Sequence, residues 1–179
     1  MSSAATLSAP GSATEGSLEA RADLGGKYLT FFLAGEEYGI EILKVHEIIG
    51  MMPITTVPRT PFFIKGVVNL RGKVIPIVDL RLKFEMEAMT QTEETCIIVV
   101  QTHGTEMGIV VDRVSEVLDI GSSEIEEPPS FGGDVDTTYI LGIGKTDGHV
   151  KLLLDIERVL SDQETLDLGA LTGADINGD

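Results

Sequence analysis

The apolar positions of this chain come in short runs, each cut off by a turn signal. Residues 27–33 are followed by Gly35-Glu36-Glu37 and then by the run 38–42, and residues 66–70 meet Arg71-Gly72 before the run 73–79. Run length and the share of Val, Ile, Tyr and Phe predict strands rather than helices. Asn69-Leu70-Arg71-Gly72, between two such runs, predicts a tight turn with the arginine projecting outward. Thr60-Pro61 ahead of Phe62-Phe63-Ile64 predicts one helical turn, with threonine as N-cap and proline at the first position. The segments after Asp79 and Asp155 predict short helices, each capped by its aspartate. Pro76 interrupts an apolar strand and brings no amide donor, which predicts an edge or a bulge there.

The same pattern occurs twice. Gly39-Ile40, Val45 and Glu47-Ile48-Ile49 return 69 residues later as Gly108-Ile109, Val114 and Glu116-Val117-Leu118. A second block, Ile64, Gly66, Gly72, Val74 and Asp79, returns 76 residues later as Ile140, Gly142, Gly148, Val150 and Asp155. The offset grows by seven residues between the blocks, an insertion that falls in 121–138, where Pro128-Pro129 and Gly132-Gly133 mark an exposed loop. Ordered matches at a fixed spacing define an internal repeat, with copies at about 36–84 and 105–160. The expected fold is all-β with a few short helices: two packed, small five-stranded β-barrel subdomains made by duplication. Closure removes the edges that such short sheets otherwise leave open. Equivalent aspartates, Asp79 and Asp155, then fall one to each barrel.

Outside residues 27–160 the composition changes. Residues 1–26 are mostly Ser, Ala, Gly and Thr, and 161–179 are polar and acidic around Leu166, Leu168 and Leu171. Both stretches predict flexible tails, because few large apolar groups are present to offset the entropy of ordering them. Neither a secretory leader nor a run near the roughly 20 apolar residues of a membrane helix is present, so the chain reads as cytoplasmic. Thirteen Lys and Arg against 29 Asp and Glu give a formal charge of −16, which repels nucleic acid and anionic lipid.

Catalytic chemistry finds no foothold. Cys96, the single cysteine, stands in the apolar run Cys96-Ile97-Ile98-Val99-Val100 and reads as a strand residue, with no second thiol for a disulfide or a metal. His46, His103 and His149 are widely spaced and fit no ligand motif, and no glycine-rich phosphate loop is present. The expectation is a protein with no catalytic, cofactor or metal site. Charge distribution is more informative. Six basic residues, Arg59, Lys65, Arg71, Lys73, Arg81 and Lys83, stand against one acid, Asp79, between 59 and 83, a local +5 that leaves −21 for the remainder. Gathered on one face, they steer an acidic partner; strand alternation can equally scatter them.

Three strings carry a family resemblance: Tyr38-Gly39-Ile40 through Lys44-Val45-His46-Glu47-Ile48, then Phe63-Ile64-Lys65-Gly66-Val67-Val68-Asn69-Leu70-Arg71-Gly72, then Val74-Ile75-Pro76-Ile77-Val78-Asp79-Leu80-Arg81. Together they resemble the CheW chemotaxis coupling proteins over about residues 27–160. The resemblance implies two barrels about a shared apolar core and a non-catalytic scaffold. Its implied partners are the regulatory domain of the histidine kinase CheA and the cytoplasmic tip of methyl-accepting chemoreceptors, in arrays at the membrane. By motif position it implies partner contacts at Glu47 and Arg71, an inter-barrel groove at Val45, Val74 and Ile97, and membership of the same set for Gly66 and Asn69. Two other readings stay open: a CheW-like coupling protein of a parallel pathway for pili or surface behaviour, and a barrel that binds a small molecule in the groove.

Overall fold

The structure is a computed structural model that describes residues 24–129 and 138–161. The tail readings for 1–23 and 162–179, and the glycines of the predicted insertion loop, lie outside the described residues. Strands are β1 (Gly26–Leu33), β2 (Glu36–Glu41), β3 (Val45–Gly50), β4 (Ile64–Leu70), β5 (Lys73–Asp79), β6 (Cys96–Thr102), β7 (Thr105–Val111), β8 (Arg113–Ile120), β9 (Ile125–Glu126), β10 (Ile140–Thr146) and β11 (His149–Leu154). Two single-turn helices, α1 (Leu80–Lys83) and α2 (Ile156–Val159), follow β5 and β11. Their N-caps are the two aspartates expected. Asp79 Oδ1 accepts from the Leu82 amide, and Asp155 Oδ1 from the amides of Glu157 and Arg158.

Four hairpins use the same two-residue turn. Ala34-Gly35, Arg71-Gly72, His103-Gly104 and Asp147-Gly148 all have positive φ at both positions, 52/83, 54/84, 50/77 and 52/76 degrees. These are the values of a type I′ turn, whose twist matches that of the strands it joins. Glycine supplies the second position without strain, which accounts for the repeated Gly72 and Gly148.

The strands form two sheets, β3-β6-β7-β5-β4 and β8-β1-β2-β11-β10-β9, the sixth strand of the larger being the two-residue β9. Each sheet curls around its own small core. Ile49 of edge strand β3 and Val68 of edge strand β4 share a cluster with Ile75, Ile77, Ile97, Val99 and Val110, which closes the first barrel. Tyr28, Ile120 and Leu153, with Leu118, Ile125 and Leu141, fill the second. Between the barrels lies the largest core, with Leu29, Phe31, Leu33, Tyr38 and Ile40 from one side and Ile64, Val78, Ile98, Val100, Ile109 and Val111 from the other. Strands such as β6 are therefore apolar on both faces, Ile97 and Val99 toward the barrel interior and Ile98 and Val100 toward the shared core. That is why their sequence reads as a continuous apolar run.

The repeat copies do not each build one sheet. β2 of the first copy pairs in parallel with β11 of the second (Gly39 opposite Leu153), and β7 of the second pairs with β5 of the first (Ile77 opposite Gly108). The copies thus exchange hairpins, and each barrel contains strands of both. The repeated glycines mark close approaches in this arrangement. A Cβ on Gly108 would lie 2.6 Å from the Ile77 side chain, and one on Gly66 would lie 2.0 Å from the Thr55 carbonyl oxygen.

Two local expectations are corrected. Residues 60–63 form no helix, only a turn at 62–63, and the Thr60 hydroxyl donates to the Val57 carbonyl instead of capping. β5 is an interior strand although it contains Pro76. Val67, opposite Pro76, spends both its amide and its carbonyl on Thr55, and pairing of β5 with β7 begins only at Ile77. No ladder hydrogen bond at that position needs an amide from the proline.

Candidate protein interface

One end of the first barrel gathers the polar members of the predicted set. Glu47 lies opposite Val99 in register and so points to the same face as the barrel core, at its mouth. The guanidinium of Arg71 reaches from the β4–β5 turn and donates to the Glu47 carboxylate, linking the strands at opposite ends of the sheet order. Asn69 Oδ1 accepts the Gly72 amide at 2.8 Å and stiffens that turn. Val74 stands opposite Asn69, half-buried, while the neighbouring pair Val68 and Ile75 faces the core. Val45 is half-buried against the inter-barrel core; a bulge between Val45 and Glu47 lets the two side chains serve different cores.

Two predicted members belong elsewhere. Ile97 is 0% exposed, inside the first barrel, and presents nothing to a partner. Gly66 is buried as well; its φ of 140° and its approach to Thr55 give it a backbone role.

The structure adds three residues to the cluster. Lys73 Nζ lies 2.5 Å and His46 Nε2 3.5 Å from the two carboxylate oxygens of Glu106. The Lys73 hydrogen bond holds the Glu106 carboxyl below the ordinary glutamate range. No local motif points to Glu106, because only the exchanged hairpin carries β7 to the side of β5. The remaining basic residues disperse. Arg81 is spent on Asp112, and Lys83 sits 4.1 Å above the Phe63 ring.

Exposed apolar groups occur on the same stretch of chain as Glu47. On β3, Ile48 is 45% exposed, and just before it Leu43 is 90% exposed on the 3₁₀ turn Ile42–Lys44. Exposed aliphatic groups on and just before the strand that carries Glu47 suit a protein surface. Activated chemistry is a poor fit, since burial pushes the Cys96 thiol up, away from the reactive thiolate. Among the described residues, no group of three His, Cys, Asp or Glu is placed to hold a metal, and no helix is long and apolar enough to cross a membrane.

Comparison with known proteins agrees. The CheW-like domain family matches residues 27–164. The chemotaxis protein CheW of Klebsiella aerogenes is 44% identical over 141 residues, covering 79% of this chain and 85% of that protein. Its counterpart in Rhizobium meliloti is 33% identical over 141 residues, covering 78% and 91%. The crystal structure of the scaffolding protein TtCheW from Thermoanaerobacter tengcongensis superposes with a TM-score of 0.72 at 36% identity, covering 78% of this chain and 95% of that one. A duplicated pair of barrels, an arginine-bearing turn over a charged mouth, and this likeness along most of the chain have one common explanation: the chain belongs to the CheW family of chemotaxis scaffolding proteins, which are adaptors and not enzymes.

Proposed function

We propose that this adaptor couples chemoreceptors to the histidine kinase CheA, docking the kinase regulatory domain and the receptor cytoplasmic tip through the first-barrel mouth and the adjoining groove. Glu47, Asn69 and Arg71 supply its polar contacts, and Val45 and Val74 its apolar ones. In this reading the protein works in the cytoplasm, held at membrane-associated receptor arrays by its partners.

The observation that carries the assignment is the setting of Arg71. The same turn position elsewhere holds Ala34, His103 or Asp147, so the fold asks for no cation there. Arginine also tolerates positive φ less readily than asparagine or glycine. A long cation kept at a strained, exposed tip fits selection for contact rather than for stability. The test is recovery of purified kinase and receptor fragments by wild type and Arg71→Ala, with circular dichroism as the folding control. Affinity for at least one partner should fall by about 5- to 30-fold, the scale of an interface hot spot. Undiminished recovery of both removes Arg71 from the interface.

A further inference from the structure

The strand that begins the proposed interface is tied to the other barrel by one ion pair. Lys44 ends the 3₁₀ turn directly before Val45, and its Nζ lies 2.6 Å from Glu157 Oε1 on α2, 113 residues away in sequence. Glu157 is itself held on both sides. Asp155 Oδ1 accepts its amide at 3.1 Å, and the His103 ring Nε2 lies 3.1 Å from its carbonyl oxygen. Its backbone is thus pinned by a cap of its own helix and by the β6–β7 turn of the first barrel, which leaves the carboxylate aimed at Lys44.

The turn so anchored carries Leu43 outward and leads into Val45 and Glu47. Among the described residues, two ion pairs that join the barrels are unequal. At the other joint Arg81 and Asp112 bond twice and are only 14% and 15% exposed, whereas Lys44 and Glu157 meet through one bond with side chains 33% and 41% exposed. The first is built as a permanent fastening. The second is accessible to solvent and adjoins the docking strand.

We infer that Glu157 is a positioning residue for the proposed interface: through Lys44 it sets the pose of residues 43–47, so that the second barrel controls how well the first one docks. This rests on the docking role proposed for β3 and the Arg71 turn. Glu157 lies outside the set assigned to partner contact, and its effect passes through Lys44. Docking and the ion pair are therefore coupled, and what binds at β3 is felt at α2.

The experiment measures binding of the kinase regulatory-domain fragment and of a receptor-tip fragment to the full chain. It compares wild type, Arg71→Ala, Glu157→Gln, Lys44→Glu and the reversed pair Lys44→Glu with Glu157→Lys. Melting temperature serves as the control for folding. Glu157→Gln should weaken at least one partner by about two- to fivefold, the range open to a partly exposed pair, with little change in melting. Lys44→Glu should weaken it further, and the reversed pair should recover most of the loss, which direct contact of Lys44 with the partner would not produce; a merely structural role would instead lower melting and binding together. If Arg71→Ala weakens binding while Glu157→Gln does not, or if the reversed pair fails to recover, the positioning role is wrong and the interface stands. If neither Arg71→Ala nor Glu157→Gln changes binding, the interface itself is misplaced and the inference falls with it.

Discussion

Arg81 and Asp112 meet through two hydrogen bonds of 2.7 Å, Nε to Oδ1 and Nη2 to Oδ2, and so clamp α1 to the corner between β7 and β8. Asp112 Oδ2 also accepts the Ala34 amide at 2.8 Å, which brings the β1–β2 turn of the other barrel into the same joint. The pair also favours the exchanged hairpins. Had each copy kept its own hairpin, the corner beside Arg81 would offer Leu43 and Lys44 in place of a carboxylate. A nearly buried guanidinium left without its anion is costly, so the correct topology is selected against its near-symmetric alternative.

Asp112→Asn should accordingly cost about 2–3 kcal/mol, the penalty for breaking a largely buried charged hydrogen bond. Melting should fall by about 4–10 °C. Thermal and urea denaturation measure it, and a loss under about 0.5 kcal/mol, typical of a surface pair, refutes a structural clamp.

Arg71→Asn separates stability from docking. Asparagine suits the first position of a type I′ turn, which offsets the loss of a solvent-exposed bond to Glu47. The melting temperature should stay close to that of wild type. Partner recovery should drop as for Arg71→Ala. An unfolded or strongly destabilised variant contradicts the claim that the fold does not need this arginine.

Gly66→Ala should be severe. Its Cβ would lie 2.0 Å from the Thr55 carbonyl oxygen at a φ of 140°, breaking the paired bonds between Thr55 and Val67. The expected cost is about 2–4 kcal/mol, in the range of overpacked sites with backbone strain. Chemical denaturation tests it. A near-neutral Gly66→Ala shows that residues 54–55 yield, and that the bridge is not a closing element of the barrel.

Acid should weaken the fold through three carboxyls. Hydrogen bonds from Lys73 and Lys44 hold Glu106 and Glu157 below their ordinary 4.5. Burial works to raise Asp112, but the hydrogen bonds from Arg81 and the Ala34 amide outweigh it and leave its carboxyl below 3.8. A folded-state pKa below the unfolded one adds stability above the unfolded value, and that stability is lost as pH falls through the folded value. Urea midpoints should be nearly flat from roughly pH 7 to 5 and fall below about 4.5. Asp112→Asn should shrink that acid-side loss. Midpoints that rise on acidification have the wrong sign for these pairs.

Much of the fold is legible in the residues themselves. The X-Gly pairs mark the hairpins, Asp79 and Asp155 mark the caps, and the repeat marks two β units. Ile97 shows where legibility ends. A run such as Cys96-Ile97-Ile98-Val99-Val100 states that both faces are buried, but not which side chain meets which core. Placed at 0% exposure inside the first barrel, Ile97 is a stability residue. Ile97→Ala should cost about 2–4 kcal/mol before it alters any partner. Pro76 teaches the same lesson from the backbone, since its tolerance inside β5 depends on Val67 turning its bonds away to Thr55 and on β7 pairing only from Ile77 onward.

Residue order by itself determined the strands, the positive-φ turns and the helix caps, because each depends on residues adjacent in the chain, and the duplicated plan, because the repeat is read along the chain. Tertiary structure alone decided that the copies trade hairpins, that Glu106 joins Lys73 and His46, and that Glu157 holds Lys44. Two copies with the same strand pattern offer similar partners to every strand, and periodicity cannot distinguish them. Charges distant in sequence, such as Arg81 and Asp112, differ between the copies, and they meet only once the chain has folded back on itself.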